Sequence, residues 1–337
     1  MQTPGFDRRS FLRTAAAVGL PAPAAPSAAG ALPPEAGRIL DRVRGEVGPQ
    51  AASAEEGGAA GTAFRWLGTA GWRIDHGDRT VLFDPYLTRF GTGLFQDGGR
   101  FDPATPLVTD PLLVDPHIGA PELVLVSHSH WDHINDVPHI ATGTGATVVG
   151  TETSYHLLRA LGVPASQLVV VKGGEVFDFG GGLTVEVVSS RHSRNEQRRY
   201  LAPGTVNALP PRAPATVGDL PEGDTLAFQV GFEGGPTAFL MGASDFAERE
   251  VAGLRPDLAM VAVPTSTATH RYVPRLMRAL GCPRTVVPVH WDVFESPLVN
   301  PVRPDPHADL AAFTEQVRQA SPGTRVVVPD YLTPRTF

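Results

Sequence analysis

Within Ser127-His128-Ser129-His130-Trp131-Asp132-His133 three imidazoles and a carboxylate fall inside six positions, directly after the apolar run Leu123-Val124-Leu125-Val126. A chain that uses these side chains together must end a strand near Val126 and turn sharply. Imidazole nitrogens and carboxylate oxygens are ligands for zinc and similar divalent ions, and a short turn can aim several of them at one point. The competing reading is a polar turn whose histidines cap a helix or face water. Residues further along the chain decide between the two.

The rest of the composition narrows the field. The 337 residues, 42% hydrophobic, are enough for one large domain or two small ones with a substantial core. Lys+Arg 28 against Asp+Glu 35 gives a net charge of −7, which disfavours nucleic acid as a main partner. Cys282 is the single cysteine, so intrachain disulfides and metal-thiolate clusters are excluded.

Asp7-Arg8-Arg9-Ser10-Phe11-Leu12-Arg13 resembles a twin-arginine export signal. A charge-free Ala/Pro-rich stretch follows, with Ala29-Gly30-Ala31 as a small-residue cleavage site. Pro21, Pro23 and Pro26 argue against a membrane anchor at this place. The expectation is a removed signal over 1–31, the twin-arginine export machinery as a partner, no stable membrane anchor, and an exported protein. Residues 32–62 read as a flexible lead-in and 63–337 as the working domain.

Short β-rich runs at 64–67, 72–75, 80–83, 146–150, 168–171, 175–179, 183–189, 226–232, 237–241, 258–263, 285–289 and 325–328 are separated by Gly-containing turns or by helical patterns. The helical patterns lie at 135–141, 154–161, 274–280 and 308–320. Residues 88–118 read as a long polar connection and 203–223 as a Pro-rich lid or surface loop. This order predicts an α/β fold of two mixed sheets packed face to face with helices outside.

Three further ligand candidates each sit just past an apolar strand: His192, Asp245 and His290. Alone, each is ordinary; Asp245, for instance, is equally suited to capping a helix at 246–252. Taken in order with the His-rich turn, they resemble the metallo-β-lactamase superfamily over roughly residues 63–330. That resemblance implies a four-layer αβ/βα sandwich and two divalent metal ions. One would be held by His128, His130 and His192, and the other by Asp132, His133 and His290, with Asp245 bridging both. It also places Asp84, in Phe83-Asp84-Pro85, behind the ligand turn. Zinc suits these donors best, with manganese or iron as alternatives. Two such ions about 3.5–4 Å apart bridge and acidify a water and polarise a carbonyl or phosphoryl oxygen, so the hydroxide is the expected nucleophile, helped by Asp132 or Asp245 as proton acceptors.

The substrate is less constrained. Arg191 and Arg194 beside His192 suit an anionic small molecule, unless they simply face water. His270 follows the 258–263 strand and is either a proton donor or a surface histidine; Tyr86 and Trp131 line the pocket mouth or belong to the core. The pattern is similar to the branch containing ascorbate-6-phosphate lactonase and N-acylphosphatidylethanolamine phospholipase D. The expected activity is hydrolysis of an ester-type bond, phosphodiester or lactone. A β-lactam amidase and a non-catalytic metal-binding module are the alternatives.

Overall fold

The computed structural model describes residues 61–96 and 100–337. The expected signal over 1–31 and all but the last two positions of the lead-in lie outside the described residues. Thr62, the last of those positions, opens the first strand. No helix among the described residues is long and apolar enough to cross a membrane.

Strands β1 (Thr62–Gly68), β2 (Gly71–His76) and β3 (Arg79–Phe83) form an antiparallel meander. To it β4 (Leu123–Leu125), β5 (Thr147–Gly150) and β6 (Leu168–Val170) add in parallel, giving a six-stranded mixed sheet in sequential order. Its residues alternate between two apolar clusters, as a pleat requires. Val81, Phe83, Leu123 and Leu125 join the core shared with the other sheet, whereas Leu82, Val124 and Val148 join a second core. Helices α1 (Pro111–Ile118), α2 (Trp131–Ile134), α3 (Val137–Thr144) and α4 (Glu152–Ala160) supply that second core with Val114, Ile134, Ile140 and Leu157.

The second sheet holds β7 (Val176–Asp178), β8 (Leu183–Arg191), β9 (Leu226–Phe232), β10 (Ala238–Met241), β11 (Asp245–Phe246), β12 (Leu258–Ala262), β13 (Thr285–Val289) and β14 (Arg325–Val326). Its order is β11-β8-β9-β10-β12-β13-β14, with β7 paired to β8. From β10 to β14 the neighbours are parallel. Phe83 and Phe228 meet edge to face between the sheets, ring centroids 6.1 Å apart. Besides the one-turn α5 (Glu248–Val251), α6 (Tyr272–Ala279) and α7 (Leu310–Ala320) pack together. Val273, Leu276 and Met277 recur at helical spacing and, with Phe313 and Val317, bury against the strands. The layers therefore run helix, sheet, sheet, helix, as the element order predicts.

One expectation changes and another gains detail. The 88–118 connection is not wholly irregular: α1 occupies its end, with Asp110 accepting from the Leu112 amide at 2.9 Å and Pro at the first turn. Pro116 inside the helix and its short length hide it from a periodicity reading. The 203–223 segment, which holds only a 3-10 turn at Val217–Asp219, is tied back to the ligand turn, since the Ser129 amide donates to the Glu222 carbonyl at 3.0 Å.

Candidate metal centre

Because β3 and β4 are parallel neighbours, and β10, β12 and β13 likewise, their C-terminal ends share one edge of the sandwich. Asp84 follows β3, the His-rich turn follows β4, His192 follows β8, and His290 follows β13. Distant sequence is thereby delivered to one place.

Two groups form there. One ligand atom each from His128, His130 and His192 lie within 4.8 Å of one another, and so do atoms of Asp132, His133 and His290. His128 and His133, with ring centroids 3.9 Å apart, join the two groups. Asp132 Oδ2 stands 3.2 Å from His290 Nε2 and 3.4 Å from His133 Nε2.

The tautomers follow from the partners behind the rings. Asp84 Oδ1 accepts from the Ser127 amide at 2.7 Å, and Oδ2 accepts from the Ser127 hydroxyl at 2.5 Å. With its only proton given to Asp84, Ser127 Oγ can only accept from His128 Nδ1, 2.9 Å away. His128 Nε2 is then a bare lone pair. His192 Nδ1 donates to the Ser193 carbonyl at 2.8 Å with the same consequence, and His133 Nδ1 donates to Asp84 Oδ2 at 2.8 Å. Buried His128 Nε2 and His130 Nε2 have no hydrogen-bond partner at all. Converging, unpartnered imidazole lone pairs fit a divalent cation and fit little else.

The electrostatics agree. Burial, reinforced by the neighbouring imidazoles, pushes His128 well below the usual histidine range and His192 to about 3. Burial also lowers His130 to about 4, against some help from Asp132. These rings are neutral at ordinary pH, as ligands must be. His133 differs: burial works against its charged form, but Asp132 and Asp84 together outweigh that and raise it to about 10. Without metal it carries a proton where its ligand atom faces Asp132.

Six of the seven proposed ligands are thus brought together, and Asp84 supports two of them. Asp245 joins neither group. One oxygen accepts from the Phe246 amide at 2.8 Å and the other stands 3.6 Å from Arg194 Nε, so the bridging and proton-accepting roles expected of it are not assembled. The reason is local: after the bend at 242–244 the chain re-enters the sheet as β11, where Asp245 is paired across from Arg191. Helix α5 starts only after Ala247, so Asp245 does not cap it.

The remaining contacts also rearrange. Tyr86 is fully buried in the second core and its hydroxyl accepts from the Phe90 amide, which removes it from substrate contact. His270 is exposed and does not line the cleft, which removes it as a proton donor there. Arg191 is likewise exposed, donating to the Ser190 carbonyl at 2.7 Å. Arg194 does line the cleft, but donates to the Arg198 carbonyl and Tyr200 hydroxyl at 3.0 Å each and lies over the Tyr200 ring.

The ligand groups open into a cleft of about 330 Å³. Leu94, Phe95, Leu201 and Phe294 give it an apolar wall, and Asn195, Asp305 and His307 add polar groups. Sequence reasoning missed Phe294, Asp305 and His307, which lie in irregular chain after His290 where no periodicity marks them.

A pair of His/Asp groups at the shared edge of two face-packed sheets defines a class, the metal-dependent hydrolases of metallo-β-lactamase fold. Residues 79–291 match the family described as beta-lactamase superfamily domain. Within it, the chain belongs to the UPF0173 metal-dependent hydrolases. It is 30% identical over 244 residues to such a protein from Cupriavidus taiwanensis, covering 69% of this chain and 76% of that one. To another from Pyrobaculum arsenaticum it is 27% identical over 261 residues, covering 76% and 93%. Igni18, a metallo hydrolase from Ignicoccus hospitalis, shares the fold with a TM-score of 0.53 at 19% identity, covering 82% of this chain and 98% of that one.

Proposed function

We propose that this metal-dependent hydrolase acts through two ions, zinc by donor chemistry, on an ester-type bond, and that it is exported through the twin-arginine route. The observation that carries the reading is the opening of both ligand groups into one cleft. Such a pair of ions, when bound, acidifies water and polarises the bond under attack. The protein's own part is to fix the ligand rings through Asp84, Ser127 and Ser193, and to hold the substrate against the cleft wall. No thiol competes for the role of nucleophile, since Cys282 is exposed and lies outside the cleft.

Of the two bond types, a lactone or carboxylic ester suits the cleft better than a phosphodiester. Arg194, the arginine that lines it, is already committed to Asp245, Arg198 and Tyr200, and the facing wall is apolar. That favours the lactonase side of the resemblance.

The test is metal analysis of protein purified without chelator, followed by chromogenic lactones, carboxylic esters, phosphodiesters and β-lactams. Two equivalents of metal and preferential ester or lactone turnover are expected, and His130→Ala should lose metal and turnover together while keeping its fold. Full activity in that variant, or β-lactams as the best substrates, refutes the reading. Export is tested by replacing Arg8 and Arg9 with lysine and locating the protein; unchanged export removes that proposal.

A further inference from the structure

Asp84, Asp132, Asp136, Glu222, Asp292 and Asp305 are the buried carboxylates among the described residues. Asp84, Asp132, Asp136 and Asp292 are each engaged by several amides, hydroxyls, imidazoles or a guanidinium. Glu222 has the Thr225 hydroxyl and stands outside the cleft. Asp305 is the exception in the cleft itself. It is 8% exposed, one of its oxygens accepts from the His307 amide at 2.8 Å, and no arginine or lysine forms an ion pair with it among the described residues.

Its second oxygen has no protein donor and is not sealed from solvent, so a donor that enters the cleft can reach it. Burial pushes the Asp305 carboxyl above the usual carboxylate range, partly offset by the His307 amide, consistent with a missing donor. Its position is nonetheless well fixed: the Asp305 amide donates to the Trp291 carbonyl at 2.8 Å, which ties it to the residue after ligand His290. Pro304 also pairs with Asp292. The carboxylate is therefore held beside the metal centre rather than left on a loose tail.

We propose that Asp305 is a specificity-determining residue, whose spare oxygen accepts a hydrogen bond from an ammonium or hydroxyl donor carried by the substrate close to its scissile bond. The opposite wall, with Leu94, Phe95 and Phe294, then takes an apolar remainder. The substrate class is an apolar carboxylic ester or lactone bearing an amino or hydroxyl group next to the carbonyl. This rests on the ester reading above, and binding separates the two claims.

The experiment titrates metal-loaded protein by calorimetry with norleucinamide and with hexanamide, which differ by one ammonium group, alongside turnover of nitrophenyl hexanoate and its α-amino derivative. The aminated ligand should bind at least tenfold tighter, and Asp305→Asn should erase that difference while metal content, melting temperature and hexanamide binding stay unchanged. Equal binding of the two ligands by the native protein, binding of neither, an equal loss of both in the variant, or loss of metal from it overturns the proposal. If Asp305→Asn fails to fold, the contrast between the two ligands in the native protein still decides. A binding contrast without turnover of either ester would sink the ester reading and leave Asp305 as a recognition residue.

Discussion

Asp84 Oδ2 and His133 Nδ1 meet at 2.8 Å across 49 residues of sequence, and the same carboxylate holds Ser127, which in turn holds His128. One acid at the end of β3 thereby fixes a ligand ring in each of the two groups. Its own backbone is strained, with φ at 40°, and the Asp84 amide donating to the Leu125 carbonyl at 2.9 Å keeps it there.

Asp84→Asn keeps the shape and removes the charge. Partners of this kind typically carry ten- to a hundredfold in metal affinity. Metal affinity in competition with a chromogenic chelator is expected to fall by about that factor at both sites; a fall at neither would show that Asp84 is packing alone.

How much of this was readable beforehand depended on where each residue sits. The strands at 226–232 and 285–289 match their elements because strongly apolar runs bounded by turn residues leave one interpretation. The ligand turn was readable because four of its side chains fall within six positions. Asp245 misled because it occupies the expected order, and order carries no register. Whether an acid after β10 reaches the cleft depends on the bend at 242–244 that precedes it. Asp305 was invisible because the contact that places it, from its amide to the Trp291 carbonyl, is made by backbone.

Gly242 approaches the Asp84 network closely. A Cβ there would lie 2.3 Å from Ser127 Oγ and 2.6 Å from Asp84 Oδ2, both fully buried. Gly242→Ala must displace the group that sets the His128 tautomer, at a cost of about 1–3 kcal/mol. A drop in unfolding free energy together with weaker metal binding is expected, and unaltered metal binding would mean that the turn accommodates the methyl group by moving elsewhere.

Arg89 and Asp292 form another buried ionic link, at 2.6 Å with side chains 1% and 0% exposed. The carboxylate also accepts from the Tyr331 hydroxyl and the Thr69 amide, and the Thr69 carbonyl accepts from the His290 amide at 2.7 Å. Arg89→Met strands a buried charge and should cost about 3–5 kcal/mol in denaturant unfolding. Adding Asp292→Asn should return part of that loss. If the double variant is as unstable as the sum of the singles, the pair is not coupled in the way its geometry indicates.

The metal-free protein should show a stability maximum near the ordinary histidine pKa of about 6.5. His192 and His130 are held down, to about 3 and about 4. Below about pH 6.5 the unfolded chain therefore binds protons that the folded one refuses, and stability falls by about 1.4 kcal/mol per pH unit for each such ring at full slope. His133 has the opposite sign. Raised to about 10, it contributes stability that is fully present below the unfolded value and is lost as pH climbs from there through about 10. Carboxylates also weaken proteins in acid, so the comparison is with His192→Gln, whose acid limb should be shallower by the slope of one ring. Parallel curves for the two proteins between pH 6.5 and 4 would mean that His192 titrates freely, and with it would go the picture of neutral lone pairs waiting for an ion.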